Sequence, residues 1–176
     1  SRGLGDVYKR QELALKSPFT VLDLAGATKQ LAAYNFEAEE LVDVSKRMAD
    51  ISAALGVPME RLTYNLGQIR AQTVLTARDA RDFANAGLSI TTELAKMYTE
   101  QEERIVSVGD VMDRMSNKMV SFTDVMKVLN RYTDEGGMFY DFQAKQAETL
   151  AGQLSNLTDA YDFMPVSYTH LTLPTI

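Results

Sequence analysis

The chain has 176 residues, of which 45% are hydrophobic and 24% charged, with no Cys, no Trp, one His and a net charge of −6. That length suffices for one domain burying roughly 68–70% of its unfolded surface, and the lack of Cys excludes disulfides, thiol catalysis and thiolate metal sites. No run approaches the ~18 apolar residues of a membrane span, the opening residues lack a charged-then-apolar signal pattern, and the acidic balance argues against nonspecific binding to nucleic acid or anionic membranes.

The two ends differ in texture from what lies between them. Asp6-Val-Tyr-Lys-Arg-Gln11 can be encoded by GAT GTG TAT AAG AGA CAG. The reverse complement of that string, two bases out of frame, reads GTC TCT TAT ACA CAT and encodes Val166-Ser-Tyr-Thr-His170. Such a relation is expected of a sequencing adapter translated at both ends of a fragment. Residues 1–11 and 165–176 therefore read as adapter-derived scars, and Glu12–Met164 is expected to be an internal piece of a longer reading frame. This stretch of 153 residues holds 15 basic and 23 acidic side chains, a net −8, and no His.

Within it the apolar spacing is three and four, which predicts helices rather than strands. Ser17-Pro-Phe-Thr20 followed by Val21, Leu24, Leu31 and Tyr34 reads as a capped short helix, with Thr20 and Asp23 in the positions of a capping box. Leu41, Val44, Met48, Ile51 and Leu55 define the apolar face of a second helix. Gly56 suits the left-handed residue that ends it, and Pro58 suits the first turn of the next, which carries Met59, Leu62, Leu66 and Ile69. These two helices are expected to pack as an antiparallel hairpin.

Ala77–Ala86 reads as a short helix stopped by Gly87, and Ile90–Tyr98 as another. A longer helix is expected over Glu102–Met119, with Ile105, Val108, Met112, Met115 and Met119 on one stripe and Gly109 weakening its centre by about 1 kcal/mol relative to Ala. Ser121-Phe-Thr-Asp124 starts a helix with Phe122, Val125, Leu129 and Tyr132 inward, ended by Gly136-Gly137. A long C-terminal helix is then expected from about Met138, aligning Phe139, Phe142, Gln146, Leu150, Leu154, Leu157 and Tyr161. The sum is an all-α fold: a compact domain of about six to eight helices with antiparallel helix hairpins.

Few residues invite a chemical role. Without His in residues 12–164, imidazole triads and imidazole metal sites are excluded. Glu39-Glu40, Glu102-Glu103 and Asp134-Glu135 are paired carboxylates of the type that cleaves glycosidic bonds, but they fall on helix surfaces and ends, where solvated charge is the expected reading. Gly136-Gly137 reads as a helix terminus rather than a phosphate cradle, and no window supplies an EF-hand. The run Met112, Met115, Met119 and Met126 has the composition of an adaptable hydrophobic groove, while its spacing points to core packing. Arg61, Arg70, Arg78 and Arg81 form a modest basic cluster broken by Asp79 and Asp82, read as salt-bridged surface without the interleaved aromatics of a single-strand nucleic-acid site. Catalytic, cofactor-binding and metal-ligating residues are accordingly none, and no cofactor is expected.

The order of segments resembles a known family. Ser17-Pro-Phe-Thr20, Ala27-Thr-Lys-Gln-Leu31, Ala54-Leu-Gly-Val-Pro-Met-Glu-Arg-Leu62, Leu66-Gly-Gln-Ile-Arg-Ala71, Arg81-Asp-Phe-Ala-Asn-Ala-Gly87, Val120-Ser-Phe-Thr-Asp-Val125, Glu135-Gly-Gly-Met-Phe-Tyr140 and Gln146-Ala-Glu-Thr-Leu-Ala-Gly-Gln-Leu-Ser-Asn-Leu157 resemble the N-terminal tape-measure domain of phage and prophage tail length tape measure proteins. The chain departs from that pattern at Gln72-Thr73, where the family often carries a Gly, and follows it loosely over Leu88–Gly109.

The resemblance implies structural work in tail assembly and tail length determination. It implies contacts with tail tube and tail assembly proteins or with further copies of the chain, no specific nucleic acid and no membrane span in this fragment. The implied location is the virion tail, and the host bacterial cytoplasm during assembly. A segment associated with a cell-wall hydrolase, or a helical signalling or adaptor domain, are the alternative readings.

Overall fold

The computed structural model describes Phe19 and residues 21–151, without the side chains of Val21 and Leu22. Helix α1 spans Val21–Ala33, α2 Ala38–Leu55, α3 Met59–Gln72, α4 Ala77–Asn85, α5 Ile90–Glu102, α6 Val108–Ser116 and α7 Phe122–Thr133. Residues 142–151 form a further helical run. The fold is thus a compact all-α, multi-helix domain, as the spacing predicts.

The first three helices pack through the residues whose spacing predicts them. Leu24, Ala27 and Leu31 of α1 meet Val44, Met48 and Ile51 of α2 and Leu62, Leu66 and Ile69 of α3 in one buried cluster. Each fully buried Leu or Ile is worth about 1.5–3 kcal/mol over the exposed side chain. Gly56 ends α2 in the left-handed conformation at φ 65°, its N–H donating to the Ser52 carbonyl, a backbone state that costs a residue with a Cβ. Pro58 stands one residue ahead of α3, with φ −57° already set for the helix. The turn joins the end of α2 to the start of α3, while Arg70 near the end of α3 lies 3.8 Å from Glu40 in the first turn of α2. The two helices therefore run antiparallel, as expected.

Helix α1 runs alongside α3 in the same direction. The Thr63 hydroxyl donates to Gln30 Oε1, and one turn on Gln68 Nε2 donates to the Tyr34 hydroxyl at 2.9 Å. Between these contacts Gly67 lies directly under the Tyr34 ring, where a Cβ would overlap three ring atoms. The glycine permits an approach that alanine would not.

One local device opens three later helices. At Thr76/Asp79, Ser107/Asp110 and Ser121/Asp124 the hydroxyl accepts from the N–H three residues on, and the Asp side chain accepts from the cap residue's N–H. These reciprocal bonds satisfy donors that a helix start otherwise leaves orphaned. The cap of α7 carries a second duty, because Val74 and Ser121 form an antiparallel bridge. Leu75 N–H donates to the Val120 carbonyl and Phe122 N–H to the Thr73 carbonyl, both at 2.9 Å, tying the entrance of α4 to that of α7. Ser121→Ala is expected to cost about 1 kcal/mol, read from the midpoint of urea unfolding with an unchanged slope.

Two expectations need correction. No single helix spans Glu102–Met119: α5 continues to Glu102, Glu103 turns left-handed at φ 52°, and α6 restarts at the Ser107 cap. Thr99 Oγ1 accepts from Val106 N–H at 2.9 Å across the intervening bend. The restart changes the helical phase, so Val106, Val111, Met115 and Val120 are buried while Ile105 and Met119 are 88% and 67% exposed. Gly109 then sits in the first turn of α6 rather than at the middle of a helix.

Nor does the last helix begin at Met138. Helix α7 ends at Thr133, residues 138–141 form a turn, and regular helix starts at 142. Met138 is exposed, whereas Phe139 is buried and stacks on Tyr132 with centroids 5.3 Å apart. Gln143, rather than Phe142 or Gln146, is the buried member of the helical run. Its N–H donates to Asp50 Oδ1 of α2 at 3.1 Å, so a carboxylate distant in sequence acts as the N-terminal cap. The expected cap at Thr20, and Leu154, Leu157 and Tyr161, lie outside the described residues, as does the rest of the long C-terminal helix.

Candidate functional site

The carboxylate pairs singled out from sequence are spent on ion pairs and helix ends. Glu102 lies 2.6 Å from Arg114 and 2.9 Å from Arg104, and the Arg114 hydrogen bond holds its carboxyl below the ordinary range. Asp134 lies 2.6 Å from Arg47, which also binds Asp43 and the Thr133 hydroxyl. Glu40 faces Arg70, while Glu39, Glu103 and Glu135 are exposed. Helix α7 ends at Thr133 with Asp134 as its C-cap, so Gly136-Gly137 lies in the turn beyond it rather than ending the helix as expected.

The arginines separate. Arg70 sits between the rings of Phe36 and Phe122, 5.1 and 4.9 Å from their centroids, an arrangement favoured by the ring quadrupole. Arg78 borders a polar cleft of about 270 Å³ with Tyr64, Asn65, Gln68, Gln72 and Asp82. Arg61 and Arg81 are exposed. The methionines also divide: Met115 is buried and Met126 half-buried, but Met112 is 51% exposed and Met119 more so. Core packing, read from their spacing, therefore holds for the first two and not for the others. Met112→Gln is expected to change unfolding free energy by less than about 0.5 kcal/mol, measured by urea denaturation.

A second polar cluster ties α5 to α6 and α7. Tyr98 donates its hydroxyl to Asp124 Oδ2 at 3.2 Å and lies under the Arg114 guanidinium, 4.5 Å from the ring centroid. Burial, then the charge of Asp124, pushes the phenol up to about 12. Burial works to raise Asp124 as well, but its bonds from the Ser121 hydroxyl and N–H leave it below the ordinary range. Arg131 of α7 binds Glu100 through both terminal nitrogens, at 2.8 and 2.9 Å, and approaches Glu93 at 3.2 Å. Each group is engaged in holding helices together.

The concavity with the most distinct chemistry lies between the start of α2 and α7. About 320 Å³ in volume, it has an apolar floor of Phe36, Val44, Phe122 and Met126 and a polar lip of Glu39, Glu40, Asp43 and Asn130. Phe36 and Phe122 meet edge to face at 5.7 Å, and α2 and α7 run in the same direction, since Arg47 further along α2 reaches Thr133 and Asp134 at the far end of α7. The sequence reading did not identify this groove. Its only local signals are the Phe122/Met126 spacing and the acidic run at Glu39-Glu40 and Asp43, on elements that meet only through the fold.

No protein-family profile, curated protein or solved structure matches the chain. Among the described residues no group of three or more His, Cys, Asp or Glu side chains could hold a metal ion, and no helix is long and apolar enough to cross a membrane.

Proposed function

We propose that the chain is a noncatalytic assembly module of a phage or prophage tail tape measure protein. In this reading it works in tail assembly and length determination, in the host cytoplasm during assembly and then in the virion tail. It does so through contacts with tail tube and assembly proteins or further copies of itself. The observation that carries the reading is the role of the resembling segments. Ala54–Leu62 forms the α2–α3 turn, and Leu66–Ala71 supplies Gly67 under Tyr34 and Arg70 between two rings. Val120–Val125 supplies the bridge and the α7 cap, and Glu135–Tyr140 the turn that buries Phe139. Architecture is what a scaffold module asks of its residues, and an α-helical chain gives a ruler its length at about 1.5 Å per residue.

Sequencing the DNA on both sides of the coding segment tests the assignment. The expected result is a frame several times longer, helical downstream, without either adapter string and with tube, chaperone and baseplate-type genes beside it. A frame ending shortly after Met164, or a receptor or regulator neighbourhood, refutes it. Reproducible release of soluble fragments from peptidoglycan by the purified chain would refute the noncatalytic reading.

A further inference from the structure

We infer that the groove between the start of α2 and α7 docks a cationic amphipathic helix from a protein partner. The groove has two chemically distinct parts. Its floor, Phe36, Val44, Phe122 and Met126, offers hydrocarbon and aromatic surface. Its polar lip carries the carboxylates of Glu39, Glu40 and Asp43 beside the Asn130 amide.

The basic residues nearby leave this excess in place. Arg47 divides its guanidinium among Asp43, Asp134 and Thr133, and Arg70 stacks between the two rings while facing Glu40 at 3.8 Å. Glu39 is exposed and makes no ion pair among the described residues, and an ionised carboxylate has about four lone-pair sites, so Asp43 retains acceptor capacity. A surface of this kind selects a ligand that brings apolar bulk and N–H donors together. Lys and Arg do so with a hydrocarbon stem and a charged head.

Helix is the fitting form for that ligand. Two helices running in the same direction flank the groove, and an amphipathic helix laid between them places anchors at i, i+3 and i+4 on the floor with Lys or Arg over the lip. The alternatives conflict with the chemistry. The acidic lip repels nucleic-acid phosphates. Its carboxylates do not converge into a metal site. A second copy carries −6 overall but also exposes Arg61 and Arg81, and its docking would make the groove resonances depend on the chain's own concentration. The groove's chemistry is independent of the tail assignment, and its test is separate from the flanking DNA.

The full chain, labelled at methionine methyls and aromatic rings, is titrated with a helical peptide of alternating Leu and Lys faces and with its Leu/Glu counterpart. Saturable shifts of the Met126 methyl and the Phe36 and Phe122 rings are expected with the Lys peptide and none with the Glu peptide. Glu39→Lys, an exposed substitution outside any ion pair among the described residues, is expected to weaken the Lys peptide about tenfold through like-charge juxtaposition while leaving the unligated spectrum folded. Equal binding of both peptides overturns the proposal, as does unchanged affinity in Glu39→Lys. So do shifts spread over the acidic surface without saturation at Met126, or groove resonances that move with the chain's own concentration.

Discussion

Gly67→Ala is expected to destabilise the chain by on the order of 2–3 kcal/mol, the range of an overpacked contact with little room to relax. Alanine is the better helix former by about 1 kcal/mol, so propensity alone predicts the opposite sign. Sterics decide: the new methyl would overlap the Tyr34 ring from its innermost carbon outward, and a rotation about the end of the side chain cannot relieve it. Either the ring leaves, forfeiting the Gln68–Tyr34 hydrogen bond and its edge contact with Tyr64, or α1 lifts from α3. Tyr34→Ala removes the obstacle. In a double-mutant cycle by urea unfolding, Gly67→Ala in the Tyr34→Ala background should cost little or become favourable, with a coupling energy close to the single-mutant loss. An equal cost in both backgrounds would place the strain elsewhere.

What the sequence made legible was local. Gly56 and Pro58 mark the α2–α3 turn because left-handed and fixed-φ backbone have few residue solutions, and Ser121/Asp124 marks the start of α7 because hydroxyl and carboxylate satisfy the same orphaned donors. Ser107/Asp110 carries that signal too, but Ile105, Val108, Met112, Met115 and Met119 keep a spacing that reads as one uninterrupted stripe. The cap outweighs the spacing, and only Met115 of the five is buried. Features formed by distant segments left at most partial local signals. Asp50 meets Gln143 across 93 residues, and the groove joins Val44 and the acidic residues of α2, with Phe36 ahead of them, to Phe122 and Met126 of α7. Gly67 could be read as a helix position, but not as the floor beneath Tyr34.

Asp50 provides the largest expected dependence on pH among the carboxylates. It is 1% exposed, and burial raises its carboxyl from 3.8 to about 6, assisted by Asp141 and opposed by the Gln143 N–H and Lys46. The folded chain therefore holds this proton more tightly than the unfolded chain does. The resulting stabilisation is complete below about pH 4 and is lost as pH rises through about 6; a shift of about two units corresponds to about 3 kcal/mol. Glu100, Glu102, Asp110 and Asp124 are shifted downward and act with the opposite sign, their contribution being lost as pH falls. The wild-type profile is a sum of both, so the difference from Asp50→Asn isolates the buried group. Asparagine keeps an oxygen to accept from Gln143 N–H and carries no charge to desolvate. The variant should match wild type near pH 4 and exceed it by on the order of 2–3 kcal/mol at pH 7.5 in urea unfolding, with slower hydrogen exchange over 142–151. A variant less stable than wild type at pH 7.5 would show that the ionised carboxylate caps that helix more strongly than its burial costs.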